Sequence, residues 1–150
     1  MRFSRQVILI VDDNSKDVEL TVRALNKSEV RSEIVVVRDG AEALDYLFAD
    51  ETLADGGGRV LPSLILLDLK LPKIDGLEVL RRVRTDARTK HLPVVILTTS
   101  NEDGDLIEGY RLGANSYVRK PVDFDRFVDV AAQLGCYWLT LNELPPLATE

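Results

Sequence analysis

Two adjacent aspartates, Asp12 and Asp13, directly follow the apolar run Val7-Ile8-Leu9-Ile10-Val11. A third, Asp68, ends a second apolar run, Leu64-Ile65-Leu66-Leu67, and a Lys120-Pro121 pair follows Ser116-Tyr117-Val118-Arg119. Carboxylates repel one another when clustered unless a cation neutralises them, and a hard ion such as Mg2+ takes oxygen ligands in an octahedron while keeping several waters. Asp13 and Asp68 are the natural direct ligands, the backbone carbonyl of Lys70 offers a third oxygen, and Asp12 would hold a metal-bound water. A carboxylate beside such a metal can attack phosphorus and become an acyl phosphate. The metal and a lysine then offset charge on the transferring oxygens. Lys120 suits that role, because the residue before a proline is held extended and its side chain is thereby aimed. The hydroxyl of Thr98, which ends Val94-Val95-Ile96-Leu97, could donate to a phosphoryl oxygen.

Each residue also has a plainer explanation. Asp12 and Asp13 precede a helix start and could serve only as caps. Lys120 could be a solvated surface lysine, and Thr98 a β-branched residue suited to a strand. Chance places one aspartate at a strand end commonly but not the whole set, and that argument depends on the elements that carry it. Short apolar runs rich in β-branched residues predict buried strands near Gln6–Val11, Glu33–Val37, Leu64–Leu67, Val94–Thr98 and Ser116–Val118. Helical spacing lies between them: Val18, Val22 and Leu25 share one face, as do Leu77, Leu80 and Val83, and then Leu106, Ile107 and Tyr110. Ser100 with Asp103 three residues on reads as a capping box, Gly113 as a helix stop and Asp123 as the cap of the last helix. Alternation of strand and helix implies an α/β fold: a doubly wound, five-stranded parallel sheet with helices on both faces and right-handed crossovers. Ligands of such folds sit at the carboxyl ends of the strands. Asp12, Asp13, Asp68 and Thr98 occupy those ends, and Lys120 lies just beyond the fifth.

Length and composition narrow the field. At 150 residues and 45% hydrophobic, the chain suits one domain with a single core, residues 1–150 with the core at about 6–130. A net charge of −6 argues against nucleic-acid binding. No apolar run approaches the ~20 residues of a membrane helix, and Met1 to Gln6 lacks a secretion signal, so the cytoplasm is the expected location. Cys136 is the only cysteine, which excludes an intrachain disulfide and reads as a small buried hydrophobe. His91, also alone, reads as a loop residue. Ala49 to Leu61, with Gly56-Gly57-Gly58, reads as an enlarged loop; no Gly-Lys-Ser/Thr follows to make it a phosphate loop. Beyond the last helix, Tyr137-Trp138-Leu139 and Leu144-Pro145 form an extension too short for an output domain.

Val11-Asp12-Asp13, Asp68-Leu69-Lys70-Leu71-Pro72-Lys73-Ile74-Asp75-Gly76, Pro93 to Thr98, Gly113-Ala114 and Tyr117-Val118-Arg119-Lys120-Pro121 together resemble the receiver domain of two-component response regulators, from Val7 to about Val130. The resemblance implies a flavodoxin-like strand order, 2-1-3-4-5. It implies that Asp68 accepts phosphate from a sensor histidine kinase, that Asp12 and Asp13 organise Mg2+, and that Lys120 contacts the phosphoryl group. Thr98 and Tyr117 look like the family's paired switch residues. The enlarged loop and the aromatic tail resemble the single-domain receivers that serve phytochrome-type kinases. Such a protein is a signalling switch, not an enzyme: its catalysis stops at its own phosphorylation and slow dephosphorylation. Lys70 and Thr99 stand where many receivers carry a shorter polar residue and an alanine, near the phosphate.

Other readings fit less well. An aspartate phosphohydrolase usually carries a second acid two residues after its nucleophile, but Asn14 follows Asp12-Asp13 and Lys70 follows Asp68-Leu69. A nucleotide-binding domain would need a glycine-rich phosphate loop. Within the receiver reading, one alternative is a relay intermediate that passes phosphate to a histidine phosphotransfer protein. With no output domain expected, the signal would pass to a downstream protein target. Val128, Ala131, Ala132, Leu134, Tyr137, Trp138, Leu139 and Leu141 supply more apolar surface than one helix face needs, so part of it could join a second subunit in a homodimer.

Overall fold

The runs that read as strands in the sequence form one parallel sheet. Its strands are β1 (Val7–Val11), β2 (Glu33–Val37), β3 (Leu64–Leu67), β4 (Val94–Thr98) and β5 (Ser116–Arg119), in the order β2-β1-β3-β4-β5. The computed structural model describes residues 6–28, 31–49 and 60–146. Every residue of β1, β3 and β4 is buried, as expected of strands covered on both faces, whereas the edge strands β2 and β5 are partly exposed. The connecting helices are α1 (Ser15–Lys27), α2 (Gly40–Leu47), α3 (Gly76–Thr85), α4 (Asp103–Arg111) and α5 (Phe124–Cys136), and a π-helical turn over Tyr137–Leu141 extends α5.

Alternation along the strands splits the core into two layers. Leu9, Val11, Ile65, Leu67 and Ile96 face α2 and α3, where they meet Leu44, Leu47, Val79, Leu80 and Val83. Ile8, Ile10, Leu64, Leu66 and Val95 face the other way, against Val18 and Leu25 of α1 and Leu139 of the closing turn. The register pairs Val11 with both Val37 and Leu67, so Asp12 and Asp68 leave the sheet level with one another. Thr98 pairs with Arg119, which delivers Lys120 to the same edge.

The helix starts follow local chemistry. Asn14, Asp39, Asp75 and Asp123 each accept backbone N–H bonds at the first turns of α1, α2, α3 and α5. Helix α4 departs from expectation at both the cap and the face. Its N-cap is Glu102, with no side-chain cap bond. Ser100 does not form the expected box with Asp103: its hydroxyl accepts weakly from the Glu102 N–H at 3.3 Å and donates to Asp105 at 2.5 Å. The reason is that Ser100 is buried, and Asp105, two residues beyond Asp103, is the acid that reaches its hydroxyl. The apolar arc of α4 points outward: Ile107 is 64% and Tyr110 51% exposed, and Gly109 is the helix's buried residue. Gly113 ends α4 as expected. Its φ of +105° and the bonds Gly113 N–H to Tyr110 and Ala114 N–H to Gly109 make a left-handed cap that suits glycine.

Cys136 is exposed, contrary to the buried role expected of it, because it lies on the outer side of α5 where the π-turn begins. His91 lies exposed in a turn, as expected. Residues 50–59 of the expected enlarged loop fall outside the described residues. Much of the tail packs on its own domain: Leu139 is buried, Trp138 packs beside it, and the Gln6 side-chain amide donates to the Leu139 carbonyl at 3.1 Å. Among the described residues, no helix is long and apolar enough to cross a membrane.

Candidate functional site

Asp12, Asp13, Asp68, Thr98 and Lys120, all expected at one edge of the sheet, do meet there. Backbone bonds hold their origins: Asp12 N–H donates to the Val37 carbonyl, Asp68 N–H to Val11, and Lys120 N–H to Thr98. Local turns then fix the side chains. One Asp12 oxygen accepts from the Asn14 N–H at 3.0 Å, and one Asp68 oxygen accepts from the Lys70 N–H at 3.2 Å. The other oxygens of both point at Lys120, whose Nζ lies 2.8 Å from Asp12 Oδ2 and 2.9 Å from Asp68 Oδ2. Lys120 is a buried lysine, its side chain 3% exposed, and not the solvated one of the plainer explanation.

The third partner of Lys120 was not legible in the sequence. Asp17, in the first turn of α1, accepts from Nζ at 2.8 Å. Five residues after Asp12, it reads as an ordinary first-turn acid; the signal that could have found it is its place one turn above the strand end that carries Asp12 and Asp13.

Burial pushes the Asp12 carboxyl up from 3.8 to about 6, and the bond and charge of Lys120 only partly offset this. For Lys120 burial acts to remove the proton, but its bonds to Asp12 and Asp17 and the surrounding carboxylates win and hold it above its ordinary 10.5. The cluster thus joins Asp12, Asp17 and Asp68 to one ammonium, with Asp13 beside them, an excess of negative charge that calls for a further cation. Oxygens of Asp12, Asp13 and Asp68 lie within 4.8 Å of one another. That all-oxygen donor set fits a single hard divalent ion. Asp13 is exposed and opens onto a cleft of about 440 Å³, also lined by Leu69, Lys70, Pro72, Asp75 and Asp105.

Thr98 is fully buried, and its hydroxyl accepts from the Ser100 N–H at 3.3 Å. Tyr117 packs its ring against the core, and its hydroxyl donates a long bond, 3.5 Å, to the Ser100 carbonyl. Ser100 therefore joins Thr98, Tyr117 and, through Asp105, the start of α4. Sequence reasoning gave Ser100 and Asp105 no part in this.

Residues 8–132 match the response regulator receiver domain. The probable methanogenesis regulatory protein FilR2 of Methanothrix harundinacea is 42% identical over 139 residues, 93% of this chain and 87% of that protein. Response regulator Rcp1 of Synechocystis sp. is 35% identical over 140 residues, 93% of each chain. The Mn2+-bound form of Rcp1 matches this fold with a TM-score of 0.84, over 94% of this chain and 99% of that one. The phosphorylated cyanobacterial phytochrome response regulator RcpA matches with a TM-score of 0.86 at 37% identity, over 95% of this chain and 100% of that one. On a match this long and relatives this similar, the chain belongs to the response regulator receiver domain family, the phosphoacceptor switches of two-component signalling, which bind a divalent metal in an acidic pocket.

Proposed function

We propose that Asp68 is the phosphoacceptor and that it takes its phosphoryl group from a phytochrome-type sensor histidine kinase in a Mg2+-dependent reaction. The observation that carries this is the buried Lys120 ammonium, 2.9 Å from Asp68 Oδ2 within an excess of carboxylates. Likeness to RcpA, a cyanobacterial phytochrome response regulator, supports the kinase type. Asp12, Asp13 and Asp68 would hold the ion, with the Lys70 backbone carbonyl expected as a further oxygen, and the all-oxygen set favours Mg2+. When bound, the ion neutralises the carboxylates and the charge on the transferring oxygens.

In the transfer, an Asp68 oxygen forms a bond to phosphorus while the P–N bond to the kinase histidine breaks. The imidazole nitrogen leaves with the electron pair. Lys120 then donates to one phosphoryl oxygen. Thr98, whose hydroxyl proton is not committed to Ser100, donates to another. That movement withdraws Thr98 Oγ1 from the Ser100 N–H and biases the loop, Tyr117 and α4 between two arrangements. The exposed Ile107 and Tyr110 of α4 offer a surface for a downstream protein target. Association with a second copy through the exposed Tyr137 and Leu141 belongs to the same proposal.

The absence of an acid two residues after Asp12 or Asp68 supports a switch that processes only its own phosphate, against a phosphohydrolase. Relatives that are themselves regulators support a terminal regulator and do not favour the relay intermediate. A small phosphodonor with Mg2+ should label the chain once, giving an acid-stable, base-labile adduct. Asp68→Asn should abolish the label and Asp13→Ala its metal dependence. Undiminished labelling of Asp68→Asn overturns the assignment, and phosphotransfer profiling against candidate kinases identifies the donor.

A further inference from the structure

We infer that Asp17 is a positioning residue: it anchors the Lys120 ammonium so that the lysine stays aimed at the phosphoryl group after Asp68 has become an acyl phosphate. This deepens, and rests on, the assignment of Asp68 as phosphoacceptor.

An ammonium has three N–H donors on a flexible four-carbon stem. In Lys120 they point to Asp12, Asp17 and Asp68, at 2.8, 2.8 and 2.9 Å. The three acceptors differ in what happens to them next. Asp12 and Asp68 belong to the group whose oxygens lie close enough to share a cation, and Asp17 does not. A divalent ion therefore draws on the charge of Asp12 and Asp68 but leaves Asp17 to the lysine. Phosphorylation removes the anionic charge of the Asp68 carboxyl as well. Asp17 is the partner that persists through every stage, and with it held, the N–H released by Asp68 has one direction left, toward the phosphoryl oxygens.

The placement of Asp17 supports this role. Its N–H donates to the Asn14 side chain at 3.0 Å, and its carbonyl accepts from the Thr21 hydroxyl at 2.8 Å, so its backbone is tied at both ends. Its side chain is 17% exposed, partly out of solvent where a charge-assisted bond is stronger. The plain alternative, an acid that complements the dipole of α1, needs no reach to a lysine beyond β5.

The test uses the full chain with a small phosphodonor and Mg2+, comparing wild type, Asp17→Ala, Asp17→Asn, Lys120→Ala and the double variant Asp17→Ala/Lys120→Ala. Asp17→Ala should slow phosphorylation by about tenfold or more, the worth of one bond between charged groups. Asp17→Asn, which keeps an acceptor oxygen, should recover most of the rate. In the Lys120→Ala background, removing Asp17 should change the rate by less than about twofold, because the two residues act as one unit. Independently of labelling, NMR of the unphosphorylated protein should show faster hydrogen exchange at Lys120 Nζ in Asp17→Ala than in wild type. A wild-type rate in Asp17→Ala, an equal loss in the Lys120→Ala background, or unchanged Nζ exchange overturns the role of Asp17. Wild type that takes no label overturns the Asp68 assignment instead, and the inference with it.

Discussion

Replacing Asp12 by asparagine should stabilise the metal-free protein at neutral pH, although it removes a buried, hydrogen-bonded acid. Asp12 is 5% exposed, and burial raises its carboxyl from 3.8 to about 6. That rise corresponds to about 3 kcal/mol of cost for holding the residue ionised in the fold. Between pH 3.8 and about 6 the folded chain keeps a proton that the unfolded chain has released, so this contribution to stability falls as pH rises through that window. The cost is absent below the window and complete above it. Asparagine removes the charge, but Asn14 and Lys120 donate to different oxygens of Asp12 and the amide NH2 replaces one of them, which returns about 1–2 kcal/mol. The net gain should be about 1–2 kcal/mol, or roughly 4 °C in Tm for a chain of this length. Thermal and urea unfolding in EDTA at pH 7.5 and pH 5 measure it: the variant should exceed wild type at pH 7.5 and lose that margin toward pH 5. Mg2+ should reverse the order, since an ion at 100 times its Kd adds about 2.7 kcal/mol to wild type and less to a variant with weakened binding. A variant less stable than wild type in EDTA at pH 7.5 refutes the electrostatic reasoning.

Thr98→Ala should still accept phosphate, but amide NMR shifts from β4 through α5 should respond less than in wild type; an equal response rejects the switch. Gly76→Ala should destabilise by about 2–4 kcal/mol in urea melts, because a Cβ there would lie 2.3 Å from the Asp68 carbonyl oxygen and 2.7 Å from Leu69 Cα, both backbone atoms. A chain ending at Gln133 should melt lower, having lost buried Leu139 and the Gln6 bond to it. By light scattering, full chain and truncation should differ in mass by more than the lost residues; two monomers with and without a phosphate mimic would remove the proposed dimer.

The strands were legible because a doubly covered strand must be apolar throughout, a pattern that Val7–Val11, Leu64–Leu67 and Val94–Thr98 carry openly. Asp12, Asp13 and Asp68 were legible for the converse reason: charge after such a run must leave the sheet at its edge; Lys120 was legible from Pro121, which fixes the chain just beyond the fifth strand. Asp17 was hidden, because its partner lies 103 residues away and its own neighbourhood explains an acid there equally well. Helix α4 misled because period and burial separate in it: Leu106, Ile107 and Tyr110 share an arc, but the helix's buried residue is Gly109, and Ile107 and Tyr110 turn to solvent. Ser100 misled in a related way. Its spacing to Asp103 fits a cap, yet burial of the loop turns the hydroxyl to Asp105. Local pattern therefore located the charged groups that meet at the sheet edge, while the contacts that hold them there depend on packing between distant elements.

The central claim, that the phosphoryl group resides on Asp68, is tested most directly by treating the phosphorylated full chain with borohydride and mapping the product by mass spectrometry. Hydride reduces an acyl phosphate to the alcohol with loss of phosphate, which converts the modified aspartate to homoserine. Homoserine should appear at position 68 alone, absent without phosphodonor and absent in Asp68→Asn. Homoserine at Asp12 or Asp13 instead, or a phosphate on a serine or threonine that withstands borohydride and hydroxylamine, would contradict it.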